Sequence, residues 1–249
     1  MYAPTHEPER ALQDARDTEP NGLLKALPPE TYLRLLPELE PVQLAAKQVL
    51  WESNAPIRSV YFPRTCVISL IVPLEDEPAV EAATVGCEGV VGVPALLGAT
   101  STVAQALAQI PGEAVRLSLS ALREVLAEDG TLADLMLRYA QALWEQTAQS
   151  VACNRRHAME ERCARWLLMT HDRVGKDEFP LTQGFLAAML GVRRASVTVA
   201  AGMLQEAGLI RYSRGRITIL DRTRLEEAAC ECYHVVKAKY DRLLGRPDA

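Results

Sequence analysis

The sequence predicts an α+β chain in three parts: a small all-β roll, one long helix, and a second helical domain that ends in a β-hairpin. Three observations carry this. Short runs of β-branched or alternating residues crowd between about residues 42 and 118. A long helical pattern follows over residues 131–154. Beyond it, two shorter helical patterns meet at a glycine and lead into the paired β runs of "LIRYSRGRITIL".

The 249 residues leave room for one or two domains, each with its own core. A hydrophobic content of 49% with 24% charged residues is ordinary for a soluble globular protein. The opening "MYAPTHEPERALQDARDTEP" holds three prolines and no apolar run. It is expected to be a mobile tail over residues 1–20 rather than a secretory leader. Nowhere do 18 apolar residues run together, so no membrane partner and a cytoplasmic location are expected.

In "NGLLKALPPETYLRLLPEL", Pro28 and Pro29 open a second short helix, where a missing N–H is harmless. The roll, placed at residues 21–128, takes its strands from "KQVLWE", "SVYFP", "CVISLIVPL", "AVEAATVG", "AQALAQIPG" and "EAVRLSL". Turn chemistry in "SNAP", "EDEP" and "GCEG" separates them. Ser118 or Ser120 caps the next helix, and Gly130 interrupts it. The long helix, placed at residues 129–153, carries Leu132, Leu135, Tyr139, Leu143, Gln146, Ser150 and Cys153 at steps of three and four. Such a stripe suits either packing on its own domain or a coiled-coil dimer seam.

Residues 154–249 form the last part. An amphipathic helix with Met159, Cys163, Trp166, Leu167 and Thr170 on one face ends at Gly175. Thr182 caps the next helix, and Gly191 turns the chain into "RRASVTVAAGMLQEAG". The hairpin has a basic tip at Arg214 and Gly215, and one last helix runs from "RTRLEE" to the end. Helix, turn, helix and basic hairpin make a winged helix-turn-helix. A helix fits the DNA major groove, and arginine can make two hydrogen bonds to guanine. The charge pattern agrees. The chain carries a net charge of -5, yet residues 151–220 hold eleven basic residues against six acids, and none of those acids lies between Glu178 and Glu206.

This order of parts, with "LTQGFLAAMLGVRRASVTVAAGMLQEAGLIRYSRGRITI", resembles the Crp/Fnr family of bacterial transcription regulators over about residues 22–225. The resemblance implies a cyclic-nucleotide-binding-like roll (a double-stranded β-helix), a dimerising long helix and a DNA-binding head. The expected partners are then double-stranded DNA, a second copy of the chain and, for an activator, RNA polymerase. It places Arg194, Ala195, Thr198 and Val199 at base edges, with alanine at 195 where many members carry a base-reading glutamate. It places Thr182, Gln183, Arg193, Ser196, Arg214 and Arg216 on phosphates. It favours the dimer reading of Leu132, Leu135, Tyr139, Leu143, Gln146 and Ser150. It also puts an effector pocket at Gly86, Glu88, Gly89, Gly92 and Thr102. Members that bind cyclic AMP hold its phosphate with an arginine, which falls here near Thr102. No Arg or Lys occurs between Arg64 and Arg116, so tight cyclic AMP binding of the usual kind is not expected and the effector is left open.

Other chemistries fit less well. A metal-dependent cupin enzyme needs histidines in the barrel, and the roll has none. No lysine-bearing phosphate loop or nucleophile elbow appears, so an enzyme is not expected; a non-DNA-binding interaction module is the other alternative. Iron–sulfur sensing is disfavoured because no cysteine precedes Cys66. Haem would have to use Cys66 or Cys87, since no histidine lies between His6 and His157. Scattered cysteines read as small buried hydrophobes. Cys87 and Cys153 are the possible redox positions. Cys230 and Cys232 form a C-x-C pair with His234 near, but helical spacing turns the thiols apart and a fourth ligand is missing. No cofactor and no metal site are therefore predicted.

Overall fold

The computed structural model describes residues 16–75 and 79–245. Most of the tail expected over 1–20 lies outside them. Its last part is packed, however. Glu19 is buried and accepts hydrogen bonds from Arg64 Nε at 3.0 Å and Tyr32 Oη at 3.1 Å. Helices α1 (Gly22–Lys25) and α2 (Pro29–Leu35) follow, the first capped by Asn21, the second opened by Pro29.

The roll comprises β1 (Glu40–Leu44), β2 (Val49–Trp51), β3 (Ser59–Pro63), β4 (Val67–Val72), β5 (Val80–Val85), the short helix α3 (Val93–Leu96), β6 (Gln105–Ile110) and β7 (Gly112–Ser118). The strands form two antiparallel sheets, in the orders β1-β7-β3 and β2-β6-β4-β5. Val60, Phe62, Ile68, Val85, Val115 and Leu117 are buried in the core, as the alternation of their strands requires. Strand β1 gave no apolar signal because Glu40, Pro41 and Gln43 interrupt it. Its place is set by register against β7, where Glu40 lies opposite Arg116 and accepts from its Nη2 at 2.5 Å.

Helix α4 (Leu119–Glu128) is capped by Ser118 rather than Ser120. The long helix α5 (Gly130–Arg156) is capped by Asp129, whose carboxylate accepts from the Thr131 and Leu132 N–H groups. Its 27 residues span ~40 Å at ~1.5 Å each. The stripe read as a dimer seam is its inner face. Leu132, Leu135, Tyr139, Leu143 and Gln146 are buried within this chain, and Gln146 Nε2 donates to the Thr84 carbonyl of β5 at 3.0 Å. Ser150 accepts from Arg165 at 3.0 Å. Periodicity identifies an apolar face but not what covers it. The outer face instead exposes Leu137 (56%), Trp144 (74%) and Val151 (68%).

The C-terminal part comprises α6 (Met159–Val174), β8 (Glu178–Pro180), α7 (Gln183–Leu190), α8 (Arg194–Glu206), β9 (Ile210–Ser213), β10 (Arg216–Ile219), α9 (Arg222–Glu227) and α10 (Cys232–Leu243). The expected single last helix is broken at Ala228–Glu231, and α10 returns along α5. There Lys239 pairs with Glu145 at 2.8 Å. No single helix among the described residues is long and apolar enough to cross a membrane.

Glycines that looked like pocket chemistry prove to be close-packing positions. A Cβ on Gly89 would sit 2.1 Å from Tyr139 Oη, one on Gly86 2.5 Å from the Arg173 side chain, and one on Gly92 2.7 Å from Val60. Gly89→Ala is expected to destabilise the fold by about 1–3 kcal/mol, because buried Tyr139 has no space to yield. Urea unfolding should show a lower midpoint at unchanged slope; an unshifted midpoint would mean that α5 moves aside freely.

Candidate nucleic-acid interface

Thr182 Oγ1 accepts from the Phe185 N–H at 3.1 Å and starts α7. Gly191, at φ 62°, ends it in the left-handed conformation that suits glycine. Helices α7 and α8 then meet at 108°, within the range of helix-turn-helix pairs. Val197, Ala200, Ala201 and Leu204 bury one face of α8. The other face presents Arg194, Ala195, Thr198 and Val199 to solvent, with Arg193 and Ser196 beside them at the helix start. Gly202 has open space around it, with no atom outside its own helix backbone within 4 Å of an added Cβ.

Among the described residues, Arg193 and Arg194 have no ion-pair partner within 4 Å; the nearest structural role is that of Arg193 as an N-cap without a side-chain capping bond. Thr198 Oγ1 lies 2.9 Å from Gln183 Oε1 and 3.1 Å from the Arg194 carbonyl, so two predicted contact residues are held together. The wing closes through a two-residue turn with positive φ at both Arg214 (48°) and Gly215 (75°). The Gly215 carbonyl accepts from Leu181 N–H at 2.8 Å, joining the wing to the start of α7.

Arg216 is placed differently from the expectation. It lies opposite Pro180 on β8, and its Nε donates to Glu178 at 2.5 Å. A phosphate would have to compete with that carboxylate. Three more arginines of the basic segment are internal: Arg162 donates to the Leu190 carbonyl, Arg165 to Ser150 and Arg173 to Glu88. The charge count therefore overstated the basic surface, since sequence does not distinguish an arginine facing solvent from one facing the core.

Of the predicted effector residues, Gly86, Glu88 and Gly89 share one turn, in which the Gly89 N–H donates to the Gly86 carbonyl at 3.1 Å. The Glu88 carboxylate accepts from its own Gly86 N–H and from Arg173 Nε at 2.8 Å, the pair being buried. The cation missing from the roll thus arrives from α6. Thr102 sits in another loop, where its carbonyl accepts from Asn54 N–H at 2.7 Å. A cavity of ≈ 280 Å³ does adjoin Cys87 and Glu88, but α6 and α10 complete its walls through Asp172, Tyr233 and Tyr240. Sequence reasoning missed these residues because they lie about 85 positions or more from Glu88.

A second contact joins roll and head. Trp166 Nε1 donates to Glu81 Oε1 at 2.8 Å, and Ser69 Oγ and Thr84 Oγ1 also bond this carboxyl, at 2.6 and 3.1 Å. Glu81 keeps some exposed surface, yet its carboxyl group is crowded, and desolvation pushes its pKa up despite those bonds. The native state therefore holds this proton more tightly than the unfolded chain. Stability is lost as pH rises from the ordinary carboxylate range through the native value, and is not regained above it. Glu81→Gln keeps the acceptor for Trp166 and supplies a donor to Ser69. It should unfold at a higher temperature than the natural protein near neutral pH, and the difference should vanish below about pH 4. Circular-dichroism melts across that range check this; a gap independent of pH would assign the effect elsewhere.

The cysteines divide into two groups. Burial pushes the Cys66 and Cys163 thiols up to about 12, as expected of small core residues. Cys153 is not packed among aliphatic side chains; it joins Cys230 and Cys232 in a separate buried cluster. The C-x-C pair does find further partners, Cys153 and His157 rather than His234, because Cys230 lies before α10 and escapes helical spacing.

A rigid helix pair with exposed arginines at the second helix's start, a wing beside it and a β-roll behind it define a winged-helix DNA-binding protein with a regulatory domain. Residues 161–228 match the Crp-like helix-turn-helix domain, and residues 41–129 match the cyclic nucleotide-binding domain, together more than half of the chain. The chain belongs to the Crp/Fnr family of transcription regulators. Its fold is similar to that of FixK2 from Bradyrhizobium japonicum, with a TM-score of 0.67 at 18% identity, covering 77% of this chain and 98% of that one. A putative regulator of the Crp/Fnr family from Eubacterium rectale superposes with a TM-score of 0.63 at 15% identity, covering 83% and 96%. A putative cAMP-binding regulatory protein from Silicibacter pomeroyi gives 0.62 at 16%, covering 87% and 99%. Comparison with curated proteins gave no match.

Proposed function

We propose that the chain acts as a homodimer that binds a near-palindromic DNA site and regulates transcription, without enzyme activity. The observation that carries this is the arginine pair, Arg193 and Arg194, left without ionic partners at the exposed start of α8. Two copies of α8 would enter successive major grooves ~34 Å apart. Arg194, Ala195, Thr198 and Val199 face base edges. Thr182, Gln183, Arg193, Ser196 and Arg214 face phosphate, with Arg216 available where phosphate outcompetes Glu178. The protein works in the cytoplasm, where its DNA lies, and contacts RNA polymerase if it activates.

The proposed dimer seam moves to the outer face of α5. Leu137, Trp144 and Val151 stand seven residues apart, with Ala140 and Thr147 between them. Such a stripe costs solubility unless a partner covers it. Trp144→Glu should convert a dimer to a monomer by light scattering and abolish binding to two-half-site DNA; a mutant that remains dimeric would remove this seam. The roll's effector site is degenerate toward cyclic AMP, because Arg173, the buried cation found beside Glu88 among the described residues, is already paired with it. That one similar structure is named as cAMP-binding does not carry over.

The test is binding to duplexes selected from a random pool, followed over a salt series. A slope of log affinity against log salt steeper than about −4 is expected from several phosphate contacts in each half-site. Absence of salt-dependent duplex binding would favour the interaction-module reading instead.

A further inference from the structure

Cys153 lies in the last turn of α5, and His157 is the C-cap that ends it, its N–H donating to the Cys153 carbonyl at 3.1 Å. Beyond the wing, Cys230 lies just before α10, and Cys232 is its first residue. One ligand atom from each of the four side chains lies within 4.8 Å of every other. Cys153 Sγ is 3.5 Å from Cys230 Sγ, and Cys232 Sγ is 3.4 Å from His157 Nδ1.

We propose that Cys153, His157, Cys230 and Cys232 form a tetrahedral Cys3His site for one zinc-type divalent ion, which ties both ends of the DNA-binding head to the root of the long helix. Size supports a single ion. Tetrahedral bonds of ~2.0–2.3 Å separate neighbouring donors by roughly 3.3–3.8 Å, whereas a multi-iron cluster holds its thiolates farther apart. Donor type agrees, since three thiols and an imidazole suit zinc better than any oxygen-seeking cation.

The surroundings are those of a ligand set rather than of packing. The three cysteines are buried together but apart from the aliphatic core. Glu231 lies 3.2 Å from His157 Nε2. It thereby takes the ring's N–H and leaves the Nδ1 lone pair turned to the thiols, the arrangement found around metal-bound histidines. Gln149 Nε2 donates to Cys232 Sγ at 3.0 Å, a bond that favours a thiolate. Arg162 and Arg165 of α6 have buried Nε groups without partners and sit near enough to Cys153 for their charge to offset the extra negative charge of three thiolates.

Position gives the site its consequence. The chain leaves α5 at His157, forms the whole winged helix-turn-helix, and returns at Cys230, 77 residues after Cys153. An ion there closes the head into a loop and limits how it turns on α5. The site stands independently of the DNA-binding reading.

The experiment uses full-length protein carrying no polyhistidine tag. Elemental analysis should find one zinc per chain. The metal-stripped protein titrated with Co²⁺ should develop tetrahedral ligand-field bands and thiolate charge-transfer absorption, saturating at one equivalent. Cys232→Ser and His157→Ala should each weaken Co²⁺ binding by roughly 100-fold or more, while Cys163→Ser should leave it unchanged. Three results would overturn the proposal: natural protein that binds no Co²⁺ at micromolar concentration, iron accompanied by acid-labile sulfide, or a Cys153–Cys230 disulfide in freshly purified protein. The wild-type titration decides even if a variant fails to fold.

Discussion

Arg194→Ala is expected to cost about 1–3 kcal/mol in each half-site, so roughly 30-fold or more for a dimer, and to relax the base preference at one symmetric position. The reasoning starts from α8. Its buried face, Val197, Ala200, Ala201 and Leu204, fixes the helix rigidly on the head. The side chain at 194 is then delivered at the helix start, where the groove floor is reached first. Arg214→Ala should behave differently. Located at the wing tip, it should weaken binding to all sequences by a similar factor and reduce the salt slope by about 2 in a dimer. Anisotropy titrations on a selected site and on a scrambled one separate the two. Equal losses on both sites for Arg194→Ala would show that this arginine reads only phosphate.

The second large effect concerns the latch between roll and head. Removing Glu88 by Glu88→Leu strands Arg173, a buried guanidinium whose remaining acceptors are the Met169 and Thr84 carbonyls and Gln146. An uncompensated buried charge typically costs about 3–5 kcal/mol. At ~2–4 °C per kcal/mol for a chain of this size, the melting midpoint should fall by roughly 6–20 °C. Replacing both partners, Glu88→Leu with Arg173→Met, should recover most of the loss, since the pair's attraction largely offsets its desolvation. The single variant should also become more sensitive to proteolysis near His157, where the head joins α5. A loss below about 1 kcal/mol would mean that water reaches Arg173 once Glu88 is gone.

The latch also gives the glycine turn of the roll a structural use. Gly86, Glu88 and Gly89 matched the family's effector turn in type and spacing. In this chain the two glycines make room for Arg173 and Tyr139, and Glu88 is held by the head. The pattern was legible; its use was not, because Arg173 is 85 residues away. The long helix gives the same lesson. Its apolar stripe was read correctly at Leu132, Leu135, Tyr139 and Leu143, but whether a roll or a second copy covers it depends on where β5 lies. The exposed Leu137, Trp144 and Val151 received no notice because a helix with two apolar faces has no single strong period.

Local rules were enough for strands β2 to β7, the Thr182 cap, the turn at Gly191, the hairpin at Arg214 and Gly215, and the family. Each depends on interactions within a few residues: alternation on a pleated strand, an N-cap bond across three positions, a backbone angle that suits glycine. Packing alone decided which arginines face solvent, which face of α5 is free, and that Cys153 and His157 meet Cys230 and Cys232. Those outcomes follow from which surfaces the chain can bury together, and burial is a property of the assembled fold rather than of neighbours in sequence.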